Sequence, residues 1–390
     1  MNQGKYIFSQ VMDFIPHCQF NTCVANYQGH RRVKQFTCFE QFLAMAFGQL
    51  AYRESLRDIV VCLGAQKEKL YHLGFRSPVA RSTLSDANEK RDWRIYRDLA
   101  QILIHEARRL YCNDKQFTLD LDGTFYVIDS TTIDLCVSVF TWAHFRQTKA
   151  AVKLHTVMEL KGNIPAFFSI TSGKTHDVTF LNDIEWEIGA YYIMDRGYLD
   201  YKRLYAIHQS GAFFVTRAKK NLASKRLYSN PIDKSIGLQC DQVIRFTGHC
   251  AAKKYPDTLR RVRYYDKKTD TRYVFLTNDF NLEAIRIAQL YKHRWQIELF
   301  FKWIKQHLKI KTFFGHSMNA VKTQICIAIC AYLMVAIMKK KLNVNRKLYE
   351  ILQILSVTLF DKKPLDKLFS EFELQKFDVT LKKQACLWDY

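Results

Sequence analysis

From residue 36 to 111, hydrophobic residues recur every three or four positions, the period of α-helices. A proline-containing break precedes a short basic segment, with Ser82 and Thr83 as candidate helix caps. A helix, a turn and a second basic helix could place that second helix in the major groove of DNA. The alternative is a plain helical bundle with a basic surface. We therefore predict a helical DNA-binding domain over residues 1–115, with three candidate DNA contacts: Arg81, Lys90 and Arg91.

At Phe117 the pattern changes from helical to extended. FTLDLDGTFYVIDSTTIDL alternates, and KAAVKLHTVMEL and IPAFFSITSG are two further strand-like runs. DVTFLNDIEWEI has a helical pattern, and AYYIMDRGY is apolar without alternation, as in a buried parallel strand. Another helix and the strand AFFVTRAK complete residues 116–221. The fold class predicted is α/β, a sheet with an antiparallel start and a parallel finish.

Residues 222–279 again lack the helical period and contain three short strand patterns, QCDQVIRFTGH, TLRRVRYYD and TRYVFLTND. We interpret them as a β-rich segment. A helix follows from Glu283 to about Lys309, and then an apolar run from Thr323 to Met338, so that 280–340 is helical. Residues 341–390 form a helical tail without recognisable chemistry.

The helix from 283 to 309 carries Tyr291, Arg294, Glu298 and Lys305. At about 100° per residue these four side chains fall on one narrow stripe of a continuous α-helix. One interpretation is a solvated face with ordinary i,i+4 ion pairs. The other is a site, in which case Glu298 needs acidic partners elsewhere in the chain.

Two aspartates are suitable partners. Asp129 follows the apolar run TFYVI, and Asp195 follows AYYIM at the carboxyl end of a predicted buried strand, where ligands bind in open α/β sheets. A carboxylate there is costly unless it is paired or binds a metal. Three carboxylates without Cys or His suit Mg²⁺ or Mn²⁺, and two such ions could support displacement at a phosphodiester. We predict Asp129, Asp195 and Glu298 as catalytic metal ligands.

Other acidic residues compete for this role, namely Asp120, Asp122, Asp134 and Asp177. Asp177, next to His176 at a strand-to-helix junction, is the better auxiliary candidate. Its alternative role is that of a helix N-cap.

Charge and cysteine content narrow the class of protein. The 390 residues include 59 Lys and Arg against 37 Asp and Glu, a net charge of +22 that favours a polyanion such as duplex DNA. A basic protein that binds ribosomal RNA or anionic lipid has the same charge. Eleven cysteines without a Cys-x-x-Cys pair indicate free thiols in a reducing cytoplasm. The most apolar stretch, 325–338, is shorter than the roughly 20 residues of a membrane span, so no membrane is expected as a partner.

The order Asp129, Asp195, Glu298, with Glu298 inside Tyr291-x2-Arg294-x3-Glu298-x6-Lys305, resembles the DDE transposases of the insertion-sequence IS4 family. VIDSTTI, SGKTHD and YYIMDRGY support the resemblance, which covers roughly residues 117–310. It implies an RNase H-like catalytic core with a β-rich insertion at 222–279 and two divalent ions per active site. It also implies three contacts to DNA phosphates, Tyr291, Arg294 and Lys305. The base-stacking Trp of some members has no counterpart by motif, although Trp295 is a candidate.

The resemblance implies a transposase that binds the terminal inverted repeats of its element, cleaves phosphodiester bonds and joins the 3′ ends to target DNA. Two ends require two active sites, so a dimer on paired ends is expected, in a prokaryotic cytoplasm in association with the nucleoid. One alternative is a stand-alone metal-dependent nuclease of the same fold. Another is a catalytically silent DNA-binding derivative.

Overall fold

The first third of the chain is helical. The computed structural model describes residues 4–31, 33–112, 123–146, 149–219, 221–307 and 313–370. Residues 4–31 and 33–112 contain helices and no strand. Asp120 and Asp122, two of the competing acids, lie outside the described residues, as does the tail beyond 370. The helices of this part are α1 (Ile7–Met12), α2 (His17–Asn26), α3 (Cys38–Leu50), α4 (Leu56–Gly64), α5 (Arg81–Lys90) and α6 (Arg94–Tyr111).

Local capping accounts for the start of α3 but not for that of α5. The Thr37 hydroxyl accepts from the Glu40 N–H, and the Glu40 carboxylate accepts from the Thr37 N–H, a capping box. In α5 the N-cap is Ala80, without a side-chain bond. The predicted caps Ser82 and Thr83 are therefore wrong, because both residues lie inside the first turn of the helix.

The strands of the described residues form one sheet, in which β1 has one antiparallel and one parallel neighbour. β1 pairs antiparallel with β3, which pairs antiparallel with β4. On its other side β1 pairs parallel with β5, which pairs parallel with β6. The antiparallel start and parallel finish predicted from the sequence agree with these pairings. The strands are β1 (Phe125–Leu135), β2 (His144–Arg146), β3 (Lys149–Glu159), β4 (Ile164–Ser172), β5 (Tyr191–Met194), β6 (Phe213–Arg217), β7 (Ser224–Ser229), β8 (Leu238–Phe246), β9 (Leu259–Asp266) and β10 (Thr271–Thr277).

The β-rich segment extends the same sheet. β10 pairs antiparallel with β6, and β9, β8 and β7 follow outward, giving the order β2-β3-β1-β5-β6-β10-β9-β8-β7, with β4 also on β3. β8, β9 and β10 correspond to the three predicted strand patterns, and β7 was missed. The remaining helices are α7 (Tyr201–Gln209), α8 (His249–Lys254), α9 (Ala284–Lys292), α10 (Trp295–His307), α11 (Met318–Lys341), α12 (Leu348–Thr358) and α13 (Leu365–Ser370).

The helix predicted between β4 and β5 is wrong. Only a 3-10 turn, Asp177–Asn182, forms there, and the following residues have no helix. Trp186 packs edge-on against Tyr192, while the main-chain N–H of Glu187 donates to the Tyr192 hydroxyl. These contacts with β5 keep the segment in a non-helical conformation, although its hydrophobic residues have the helical period.

Helix α11 is the centre of the helical layer. It packs against α6, α3, α5, α12 and α1, and it shares one hydrophobic core with the N-terminal helices and one face of the sheet. Its 24 residues include an apolar window long enough to cross a membrane, and 94% of that window is buried inside the protein. The expectation that this run is too short for a span is therefore wrong, whereas its interpretation as a buried helix is confirmed.

Truncation of a side chain in α11 tests this shared core. Leu333 is fully buried, so we expect Leu333→Ala to lower the free energy of unfolding by about 3 kcal/mol through lost burial and the cavity left behind. Urea unfolding followed by circular dichroism and by tryptophan fluorescence should give one shifted transition by both probes. Met318→Ala is the control, since Met318 is 47% exposed at the start of the same helix; equal losses in both variants would contradict the central position of α11.

Candidate active site

The register of two parallel strands brings the predicted aspartates to one edge of the sheet. Ile128 of β1 lies opposite Met194 of β5. Asp129 and Asp195 are the next residues on each chain, so they leave the pairing at the same level. Asp195 begins a 3-10 turn, Arg196–Tyr198, whereas β1 continues past Asp129.

Glu298 approaches this edge from α10, but the helix that carries it is not continuous with α9. His293 N–H donates to the Leu290 carbonyl at 3.0 Å, and Arg294 N–H to the Tyr291 carbonyl at 3.1 Å. These i to i−3 bonds tighten the chain into a turn between the two helices. The single helix predicted from 283 to 309 is therefore wrong. Arg294 lies in the turn, and Glu298 lies in the first turn of α10.

Arg294 joins two of the three carboxylates. Its Nη1 lies 3.0 Å from Asp129 Oδ2, and its Nη2 lies 2.6 Å from Glu298 Oε1. The arginine side chain is 19% exposed, whereas that of Glu298 is 56% exposed. The i,i+4 ion pair between Arg294 and Glu298, which the sequence offered as an alternative to a functional site, is thus present. However, the Arg294 guanidinium is also bound to Asp129 on the sheet. The pair belongs to the site.

Tyr291 and Lys305 also reach the strands that carry the aspartates. The Tyr291 hydroxyl donates to Asp195 Oδ1 at 3.0 Å, while its ring packs on Phe275. Lys305 Nζ donates to the Thr132 carbonyl of β1 at 2.6 Å. All four residues of the helix pattern therefore converge on one edge of the sheet, although they do so from two helices and the turn between them.

The two aspartates differ in their electrostatics. Burial raises the pKa of Asp129 to about 6, although the Ser130 N–H and Arg294 act in the opposite direction. Burial would also raise the pKa of Asp195, but hydrogen bonds from the Arg196 N–H and the Tyr291 hydroxyl, together with nearby arginines, hold it below its ordinary value. Of the two aspartates, Asp129 is thus the one whose ionised form the fold disfavours.

Three carboxylates offer the oxygen donors that hard divalent cations bind. Among the residues that the structure describes, however, no three His, Cys, Asp or Glu side chains lie close enough together to hold a metal ion. The positive charge between Asp129 and Glu298 is supplied by Arg294. Carboxylate oxygens are suitable ligands for a hard divalent cation. In this structure the Arg294 guanidinium supplies the positive charge beside two of them.

Asp177 is part of a polar network beside Asp129. Its Oδ1 accepts from Ser130 Oγ at 2.8 Å and from Lys153 Nζ at 3.0 Å. It is the first residue of its 3-10 turn, and the cap residue His176 makes no side-chain bond. The N-cap alternative is therefore wrong. The sequence analysis missed Lys153, although a lysine within the apolar run of β3 was a usable signal.

The competing acid Asp134 lies further along β1 and is exposed. It makes none of the contacts described at this edge.

The three N-terminal candidates have different environments. Arg81 and Lys90 are exposed at the two ends of α5. A groove of about 1020 Å³ lies between α5 and the loop around Lys34, and Lys90 lines it. Arg91 also lines this groove, but its guanidinium donates to the carbonyls of Phe36 and Thr37 and to Gln41 Oε1. The DNA contact of Arg91 stays a prediction, and the structure shows that its guanidinium already bonds to main-chain carbonyls of the protein.

The sequence of this chain is similar to those of known proteins. A family profile described as "Transposase DDE domain" matches residues 120–334, more than half of the chain. The chain belongs to this transposase family. A profile described as a domain of unknown function matches residues 3–76, the N-terminal helical part of this transposase family member.

Three relatives are transposases by name. A putative transposase of Sinorhizobium fredii is 33% identical over 72% of this chain and 78% of its own length. A probable transposase for an insertion sequence of Geobacillus stearothermophilus is 29% identical over 68% and 70%. A putative insertion-sequence transposase of Synechocystis is 28% identical over 66% and 71%. The predicted kinship with insertion-sequence transposases of the IS4 type is confirmed.

A solved structure of a piggyBac transposase synaptic complex with hairpin DNA aligns with 96% of this chain and 81% of its own, at 10% identity and a TM-score of 0.42. A score this low supports no conclusion about the DDE domain.

Neutralising each aspartate in turn should change stability in opposite directions. The pKa of Asp129 rises from 3.8 to about 6 on folding. Its protonation therefore stabilises the fold at low pH, and this stabilisation is lost as the pH rises through 6. We expect Asp129→Asn, which stays neutral, to raise the unfolding free energy at pH 8 by about 3 kcal/mol, with the gain shrinking toward pH 5.

The matched variant is Asp195→Asn. Because folding lowers the pKa of Asp195, loss of its charge should destabilise the protein at pH 8. The measurement is urea unfolding of the metal-free protein in a chelator from pH 5 to pH 8. A loss of stability in Asp129→Asn at pH 8 would contradict the electrostatic difference between the two sites.

Proposed function

We propose that this chain is a DNA transposase that binds the terminal inverted repeats of its insertion sequence, cleaves phosphodiester bonds there and joins the freed 3′ ends to target DNA. The observation that carries the proposal is that Arg294 bridges Asp129 and Glu298 at the sheet edge where Asp195 follows the neighbouring parallel strand. The order β4-β3-β1-β5-β6, with its parallel half beside β1, supports an RNase H-like core. The membership in the transposase family supports the reaction class.

In this proposal the three carboxylates hold divalent cations, Mg²⁺ or Mn²⁺, two per active site. When bound, such ions activate a water or hydroxyl nucleophile and stabilise the leaving oxygen. Tyr291 orients the Asp195 carboxylate through its hydroxyl. Arg294 neutralises Asp129 and Glu298 before cations and DNA are present, and it then turns to a phosphate of the DNA end.

Lys305 is proposed to hold the DNA backbone near the cleaved bond. It lines a cavity of about 440 Å³ together with Asp129, Glu298 and Lys302. A cavity lined by both carboxylates and lysines suits a phosphodiester, whose charge the lysines stabilise while the carboxylates provide cation ligands.

Substitution of Glu298 tests the catalytic assignment. We expect Glu298→Gln to lower cleavage of DNA that carries the element ends by about 10³-fold in Mg²⁺, because one ligand charge is lost. End binding in a mobility-shift assay should be unchanged. Asp134→Asn is the control, since it removes an exposed carboxylate from the same sheet. Cleavage by Glu298→Gln at the wild-type rate would remove Glu298 from the active site.

The same assay separates the proposal from its alternatives. A stand-alone nuclease would cut DNA regardless of the element ends and would join no 3′ end to target DNA. A catalytically silent derivative would bind the ends without cutting them. Joining both ends requires two active sites, so the active species should be a dimer on paired ends, measurable by mass photometry of the DNA complex.

The N-terminal helices are proposed to bind the element ends through α5. We expect the double substitution Arg81→Gln, Lys90→Gln to weaken end binding and to reduce its salt slope by about 2, one unit per phosphate contact. Arg91→Gln is the contrasting variant. Because its donors bond to main-chain carbonyls, it should lower the melting temperature and leave the salt slope unchanged. A salt slope that falls only in Arg91→Gln would reverse these assignments.

A further inference from the structure

One face of the outer sheet carries an open set of arginines. Gln242 of β8 lies opposite Arg261 of β9, and Tyr265 of β9 lies opposite Arg272 of β10. Since alternate residues of a strand share a face, Arg261, Arg263, Tyr265, Arg272 and Gln242 all lie on one side. We call this side the arginine face.

The arginine face is the uncovered half of a sheet surface. Near the start of β9 the same surface is apolar, with Ile244, Leu259 and Leu276 buried in the core that includes Tyr255, the residue after α8. The opposite surface is covered by α9, which contacts β8 and β9 and whose Lys292 pairs with Asp266 at 3.0 Å. The arginine face therefore lies on the opposite side of the sheet from α9.

The arginines of this face differ in their partners from the arginine on the opposite face. Within the part of the chain that the structure describes, Arg261, Arg263 and Arg272 form no ion pair, and Arg261 bonds to the neutral Gln242 amide. Arg263 and Arg272 are exposed. On the other face, by contrast, Arg260 is buried and paired with Asp241 at 2.9 Å. An exposed acid near the arginine face, Asp270, accepts from the Tyr265 hydroxyl.

Their spacing is regular. Arg261 and Arg263, two residues apart on β9, are about 6.7 Å apart along the strand. Arg263 and Arg272 are diagonal neighbours across β9 and β10, about 7–8 Å apart. A DNA strand carries one phosphate per 3.4 Å of helix axis, so this spacing is comparable with that of every second phosphate. A flat array of cations at this interval fits a phosphate backbone.

Resting on the proposed function, we propose that the arginine face binds the backbone of duplex DNA at a position separate from the active site. The segment from 222 to 279 carries twelve Lys and Arg against six Asp, and two of these acids, Asp241 and Asp266, are buried in pairs on the other face. Single-stranded nucleic acid is bound mainly by stacking on aromatic side chains. The face offers only Tyr265 for that purpose, so its chemistry favours a duplex.

The double variant Arg263→Gln, Arg272→Gln tests this surface. Binding of the full-length protein to a duplex with the element ends and to a scrambled duplex is measured across 50 to 300 mM salt. We expect affinity for both duplexes to fall on the order of 50-fold at 100 mM salt, with the salt slope reduced by about 2, since each lost phosphate contact removes about 0.9 from the slope.

Arg245→Gln is the matched control. Arg245 is an exposed arginine of the same sheet, but it lies on the opposite face, so this variant should keep the wild-type slope. Equal melting temperatures of the wild type and both variants would show that folding is intact. An unchanged slope in the double variant, or an equal fall in Arg245→Gln, overturns the arginine face as a duplex site. A larger loss for single-stranded DNA or RNA than for duplex also overturns it.

Failure of the inference is distinct from failure of the proposed function. If the double variant binds like the wild type while the wild type binds and cleaves element ends, only the arginine face is rejected. If the wild type binds no DNA, the transposase proposal itself fails.

Discussion

The parallel pairing of β1 with β5 is the constraint on which the site depends. With Ile128 opposite Met194, Asp129 and Asp195 emerge at one level, and a shift by one residue would turn one carboxylate to the other face. β6 and β10 then extend the sheet beside β5, and β10 provides Phe275, on which Tyr291 packs. The position of Tyr291 on α9 thus depends on the pairings that place β10 in the sheet.

Ionisation of Asp129 costs free energy in the folded protein. Its pKa near 6 means that burial opposes ionisation even with Arg294 at 3.0 Å. A buried carboxylate with one guanidinium as counter-charge gains more than a solvated one from additional positive charge, since its lost hydration is still uncompensated. The ionised Asp129 carboxylate therefore lowers the stability of the fold, a cost that the proposed cations would offset.

The sequence predicted the carboxylates because each has a local signature. Asp129 and Asp195 follow apolar runs, and Glu298 belongs to a spaced pattern with Arg294. The break between α9 and α10 has no such signature, because the apolar period continues through it and the turn is set by contacts with the sheet. The extended course near Trp186 was missed for the same reason. The hydrophobic period of a segment indicates which of its faces is buried, but not which distant residues that face contacts.

Helix α11 contacts both α5 and α10. Asn319, in its first turn, donates to the carbonyls of Asn88 and Arg91 at the end of α5, and Tyr332 packs edge-on against Phe300 of α10 at 5.1 Å. Close-packed interiors transmit displacement with little compression. The helix proposed to bind the element end and the helix that carries Glu298 are thereby held at a fixed separation. A duplex bound at α5, as proposed, would be placed relative to the carboxylates by this core and not by the DNA alone.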